Sequence, residues 1–94
     1  MKNKCPLMII KRDEHLEEFN EKKIYTTVYE SCLNAHLSKE KSTKIAKKIL
    51  TNVKRKIGNK REIKSDFIFK LIIELLKKEE KDAAFLFETH RDVS

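Results

Sequence analysis

The apolar positions change spacing along the chain, and each change marks an expected element. Leu7 to Ile10 is an apolar run too short for a helix and rich in strand formers, placed directly after Pro6. "RDEHL" then reads as a turn and "LEEF" as a second short extended stretch, which together predict a small β-hairpin. Asn20 can cap a helix that starts at Glu21. From there Ile24, Val28, Cys32 and Ala35 recur at helical spacing, flanked by Tyr25, Tyr29 and Leu33. Ser38 is the next expected cap, followed by Ile45, Ile49, Val53 and Ile57 with Ala46 and Leu50 beside them, and Gly58 suits the end of that helix.

"NKREIK" can hold a brief extended segment at Glu62 and Ile63. Ser65 is expected to cap a third helix carrying Ile68, Leu71, Ile72, Leu75 and Leu76. After the polar break "KKEEK", Asp82 is expected to cap a last helix with Ala83, Ala84, Phe87 and His90 inward. The pattern therefore predicts a four-helix domain preceded by a hairpin. One Gly and one Pro in 94 residues leave few turn positions, which also favours long helices. A chain of this length makes one domain and buries about 65% of its unfolded surface, enough for a modest core without staples.

Charge narrows the partners more than the fold. Charged residues form 39% of the chain and the balance is +7, which favours nucleic acid, nucleotide or an acidic surface as partner. A solvated Lys-rich surface accounts for the same balance. Cys5 and Cys32 make no CxxC, which excludes a zinc ribbon and indicates a reducing compartment. No apolar run reaches the roughly 20 residues of a bilayer span, and "MKNKCPLMII" lacks the features of a signal peptide, so a cytoplasmic protein with no membrane partner is expected.

Catalytic and metal arrangements are missing from the pattern. His15, His36 and His90 are not spaced as ligands on one element, and neither cysteine neighbours a histidine. Ser65 beside Asp66 reads as a helix start rather than a nucleophile. A single glycine forbids a Gly-rich phosphate loop. Phosphate binding would then fall to side-chain cations and helix N-termini.

Lys11 and Arg12 meet that description. They close the first strand and, as neighbours on it, point to opposite faces; a hairpin folded over the next helix would turn Lys11 inward. Lys22 and Lys23 stand in the first turn of that helix, where the macrodipole favours anions over cations. Such a conflict costs a few tenths of a kcal/mol and points to an anion seated between these cations.

The stretch "IIKRDEHLEEFNEKKI" resembles the ATP-cone family, the nucleotide-sensing domain of many ribonucleotide reductases and of the repressor of their genes. That family opens with an apolar strand, Lys-Arg-Asp-Gly, then Glu, Phe-Asp and Lys-Ile. Here the order is kept by Lys11, Arg12, Asp13, Glu17, Phe19, Asn20, Lys23 and Ile24. "KIAKKILTNV", "IKSDFIFKLI" and "AAFLFETHR" resemble the family's later helices by order and spacing, so the likeness runs over residues 8–91. It implies one domain at 8–91 between tails at 1–7 and 92–94. The fold it implies is mainly α with a small β cap (α+β): a β-hairpin or three-stranded cap on a four-helix bundle.

By the same resemblance, ATP or dATP, with or without Mg2+, would lie beneath the cap. Lys11, Arg12 and Lys23 would take the phosphates, Glu17 to Asn20 would line sugar and base with Phe19 as an apolar wall, and Ile24 would pack beside it. Ser65 matches a hydroxyl near the nucleotide and Arg91 a cation on the phosphate side. Three positions depart from the family: Glu14 replaces the turn Gly, Asn20 replaces Asp, and Phe69 stands where reductase cones carry a polar group. Phe69 would either stack on the base or fill part of the pocket. Without a catalytic barrel or zinc module beside it, the domain would act through a partner, a ribonucleotide reductase or a transcription factor, or through self-association. The rival expectations are a basic helical nucleic-acid binder gripping phosphates with "KKILTNVKRKIGNKR", and a degenerate cone serving as an interaction scaffold.

Overall fold

The computed structural model describes residues 8–11 and 15–90. Arg12, Asp13, Glu14, Cys5 and Arg91 lie outside the described residues, and so does the side chain of His90. In chain order the elements are β1 (Met8–Ile10), β2 (Leu16–Glu18), α1 (Glu21–Asn34), α2 (Lys39–Ile57), β3 (Glu62–Lys64), α3 (Ser65–Glu79) and α4 (Lys81–His90). The fold is α+β, with four helices and a small three-stranded sheet.

The sheet order is β2-β1-β3, so the expected hairpin gains a third strand. β1 runs antiparallel to β2, with Ile9 opposite Glu17, and parallel to β3, with Ile9 beside Ile63. The Lys11 N–H donates to the His15 carbonyl at 2.9 Å and extends the hairpin past the strands. Alternation along β1 places Ile9 and Lys11 on one face, and Glu17 and Ile63 share it as direct cross-strand partners. Burial of Ile9 and Ile63 identifies this as the face turned toward the helices.

The helix ends follow from the residues that stand there. The Asn20 side chain accepts from the Lys23 N–H at 3.1 Å and the Ser38 side chain from the Lys41 N–H at 3.1 Å. Each satisfies one donor that a helix start would otherwise leave bare. α1 closes in a Schellman arrangement: Leu37 N–H donates to the Cys32 carbonyl and His36 N–H to the Leu33 carbonyl. His36 there takes a φ of 70°, which is usually left to glycine. Gly58 ends α2 at φ 60° and ψ −125°.

Two expected caps are corrected. α3 begins at Ser65 itself, with Lys64 as the preceding residue and no side-chain cap bond, because β3 passes into α3 without an intervening loop. Ser65 is instead buried in the first turn. α4 begins at Lys81, so Asp82 sits inside its first turn, where a carboxylate favours the helix dipole.

α1 packs on α2 and α4, and α3 packs on α4 and α2, closing a ring of four helices. Val28, Cys32, Ile49, Val53, Ile72, Leu76 and Phe87 are almost fully buried at its centre. Burying each of these larger apolar side chains is worth roughly 1.5–3 kcal/mol. Ion pairs lace the outside of α2 to its neighbours: Lys54 to Glu21 at 3.2 Å, Lys48 to Glu79 at 2.8 Å and Lys41 to Glu80 at 3.5 Å. Exposed pairs of this kind contribute about 0–1 kcal/mol each, so burial dominates. No described helix is long and apolar enough to cross a membrane.

Candidate functional site

The sheet does not lie flush on the helices. Between its inner face, the first half of α1, the first half of α3 and Phe87 of α4 remains a cavity of about 300 Å³. Ligand pockets typically begin near this volume.

Eight of the ten residues singled out from the sequence line this one space: Lys11, Glu17, Phe19, Asn20, Lys23, Ile24, Ser65 and Phe69. Their convergence has simple local causes. Alternation along the hairpin turns Lys11 and Glu17 under the sheet. The Asn20 cap fixes where α1 starts and so carries Lys23 to the rim and Ile24 to the wall, while the direct β3–α3 junction draws Ser65 beneath the strand. Arg12 and Arg91 belong to the residues not described.

Other lining residues escaped the sequence reading. Thr27 and Glu30 follow Lys23 at four and seven positions, and Ile68 and Ile72 flank Phe69 on α3. Helical stepping from the recognised residues reaches all four. Ile9, a strand residue by sequence, and Phe87, a core residue by sequence, join them, while Glu18 lies within the Glu17 to Asn20 stretch expected to line sugar and base.

Charge inside the cavity is mixed. Among the described residues two ammonium groups, Lys11 and Lys23, face three carboxylates, Glu17, Glu18 and Glu30. Glu17 lies beside the Lys11 ammonium and the His15 ring: Lys11 Nζ stands 3.7 Å from Oε1 and His15 Nε2 stands 3.3 Å from Oε2. Thr27 is not free to serve a ligand as a donor, since its hydroxyl donates to the Lys23 carbonyl at 2.8 Å.

The floor is aromatic. Phe69 and Phe87 meet at 5.8 Å between ring centroids, tilted by 47°, in the range of favourable aromatic pairs. Phe69 thus leans on the core, and the cavity stays open beside it. The combination is a largely apolar pocket with charges of both signs in its lining, of the kind that binds an apolar group carrying polar substituents. Among the described residues no group of three or more His, Cys, Asp or Glu could hold a metal ion.

Buried polar chemistry elsewhere is sparse. Burial, with a smaller contribution from the Glu80 charge, pushes the Cys32 thiol up to about 11, so it stays protonated at neutral pH. Cys32 is therefore an inert core residue.

A small three-stranded sheet on four helices thus roofs a largely apolar cavity, with Lys11 just past β1 and Lys23 in the first turn of α1 among its lining. The ATP cone domain model matches residues 7–87, and the chain belongs to that family. Transcriptional repressor NrdR proteins from Clostridium perfringens strains SM101, ATCC 13124 and 13 are each 36% identical to it over 74 residues. The matched segment covers 77% of this chain and 47% of each repressor, so the chain spans about half the length of these relatives.

Proposed function

We propose that the protein is a non-catalytic regulatory module that binds an adenine nucleotide, ATP or dATP, in the cavity beneath the sheet. The observation that carries this reading is that Lys11, from the cap, and Lys23, from the first turn of α1, line the same apolar cavity. Lys11 follows β1 in the sheet, and Lys23 stands in the first turn of α1. An anion between them therefore links the sheet to the bundle. Phosphates would meet Lys11 and Lys23, joined by Arg12 and Arg91 as the family pattern implies. Sugar and base would lie along Glu17 to Asn20, with Phe19, Ile24 and Phe69 as apolar walls.

Membership of the ATP-cone family supports the ligand class. Mg2+ would be held chiefly by the phosphates and water, in keeping with its reluctance to dehydrate. The three cavity carboxylates work against an anion, so the cations and the apolar walls have to offset them.

Regulation follows if the nucleotide binds one arrangement of cap and bundle better than another. A coupling of 1–3 kcal/mol, typical of such devices, shifts a partner's affinity about 5–150-fold. The relatives' name, transcriptional repressor, supports a transcription factor as the proposed listener, and the family resemblance adds a ribonucleotide reductase, in a cytoplasmic setting.

Melting curves with ATP, dATP, GTP and no ligand, at two salt concentrations, test the reading. Stabilisation by the adenine nucleotides, weaker with GTP and retained at the higher salt, is expected. Equal and feeble shifts with all three would refute it and favour the interaction-scaffold reading.

A further inference from the structure

The cavity uses only part of the chain's positive charge. Between Glu40 and Glu62 stand nine Lys or Arg residues and not one carboxylate. With 22 cations and 15 carboxylates in all, the carboxylates outnumber the cations everywhere outside that segment taken together. The segment carries +9 and the rest of the chain −2, so the surplus of +7 comes from α2 and the turn that follows it.

Geometry sorts these cations into two groups. Lys41, Lys48 and Lys54, on the flanks of α2, reach carboxylates of neighbouring helices. Lys44, Lys47, Arg55, Lys56, Lys60 and Arg61 are exposed and make no ion pair among the described residues. Lys44, Lys47, Thr51 and Arg55 follow one another at i, i+3, i+7 and i+11, a single stripe opposite the buried Ser42, Ala46, Ile49 and Val53. The tight turn at Gly58, held by its N–H bond to the Lys54 carbonyl, carries Lys60 and Arg61 on from the end of the stripe.

We propose that this outer face of α2, continued through the turn toward β3, docks on the phosphate backbone of double-stranded nucleic acid. The helical stripe is about 16 Å long at 1.5 Å per residue. A duplex strand presents roughly one phosphate per 3.4 Å of axis, so the stripe runs beside about five phosphates. The stripe contains no apolar side chain to insert into a lipid surface, which sets a membrane aside. No residue of α2 lines the cavity, so this surface stands or falls apart from the nucleotide reading.

Fluorescence anisotropy with a labelled mixed-sequence DNA duplex of about 24 base pairs, between about 50 and 200 mM salt, provides the test. Wild-type affinity is expected to fall with a log–log slope near −4. The variant Lys44→Gln/Lys47→Gln/Arg55→Gln should flatten that slope by about 3 units and bind roughly 100-fold more weakly at about 100 mM salt. All three side chains are exposed, so its melting temperature should match the wild type. Lys70→Gln/Lys78→Gln/Lys81→Gln, an equal charge change on α3 and α4, should stay within about 3-fold of wild type. Lys11→Ala should leave duplex binding unchanged while weakening nucleotide binding. Absence of duplex binding at the lowest salt overturns the proposal. So does equal weakening by both triple variants, or equally tight binding to polyglutamate or anionic vesicles.

Discussion

Removing the Lys11 side chain separates its two roles. In the free protein its ammonium sits 3.7 Å from Glu17, with 28% of the side chain exposed and 46% of its partner's. A pair so open to water contributes about 0.5 kcal/mol to folding. Lys11→Ala alone should therefore lower the melting temperature by only about 2–4 °C in a domain of this size. A charged contact to phosphate is worth about 1.5–3 kcal/mol, and a loss of about 2 kcal/mol would weaken nucleotide binding about 30-fold.

With ligand at about 100 times the wild-type Kd, the bound wild type gains about 2.7 kcal/mol and the variant only about 0.9 kcal/mol. In a thermal melt that is a ligand shift of about 11–22 °C against about 4–7 °C. Glu17 sharpens the comparison. Without Lys11 its carboxylate faces the phosphates uncompensated, so Lys11→Ala/Glu17→Gln should recover part of the lost affinity. Equal ligand shifts in the wild type and Lys11→Ala would refute the placing of phosphate beside Lys11, even if nucleotide still bound.

Other expectations concern the scaffold. The Ser31 and Ser42 hydroxyls are buried with no partner among the described residues, so Ser42→Ala should be neutral or stabilising by about 1 kcal/mol in urea unfolding. His36→Gly relieves a left-handed φ at the end of α1 and should raise stability by about 0.5–1 kcal/mol, whereas Gly58→Ala introduces the same strain and should lower it by about 1–3 kcal/mol. The Cys32 thiol has its pKa raised from 9.0 to about 11 in the fold, so the folded state prefers the protonated form. That stabilisation is complete below pH 9 and is lost as pH rises toward 11; relative to Cys32→Ala, wild-type stability should decline across this window by a few kcal/mol at most.

Most of the helical frame was legible in the residues because its signals are local. Asn20 and Ser38 announce two helix starts, Gly58 one end, and the four-residue repeat from Ile45 to Ile57 one buried face. The misread caps have a common cause. Ser65 and Asp82 carry capping side chains, but they are the first residue of α3 and the second of α4, helices whose starts are set by what precedes them. For Ser65 that is a strand pairing with residues far away in the chain. The parallel partnership of Ile9 with Ile63 left no mark in either segment, since "EIK" is extended in character but does not name its neighbour. The site was legible where strand and helix motifs meet, from Lys11 to Ile24. Thr27, Glu30 and Phe87 were missed because their part in it depends on how the helices pack.

Ile9 and Ile63 pair across the whole of α1 and α2, so joining them closes a long loop at an entropic cost that a tight hairpin does not carry. The roof of the cavity therefore rests on a pairing that α1 and α2 must fold to bring about. A small ligand under that roof would touch both the sheet and the helices, so its binding energy would add directly to the hold of one on the other.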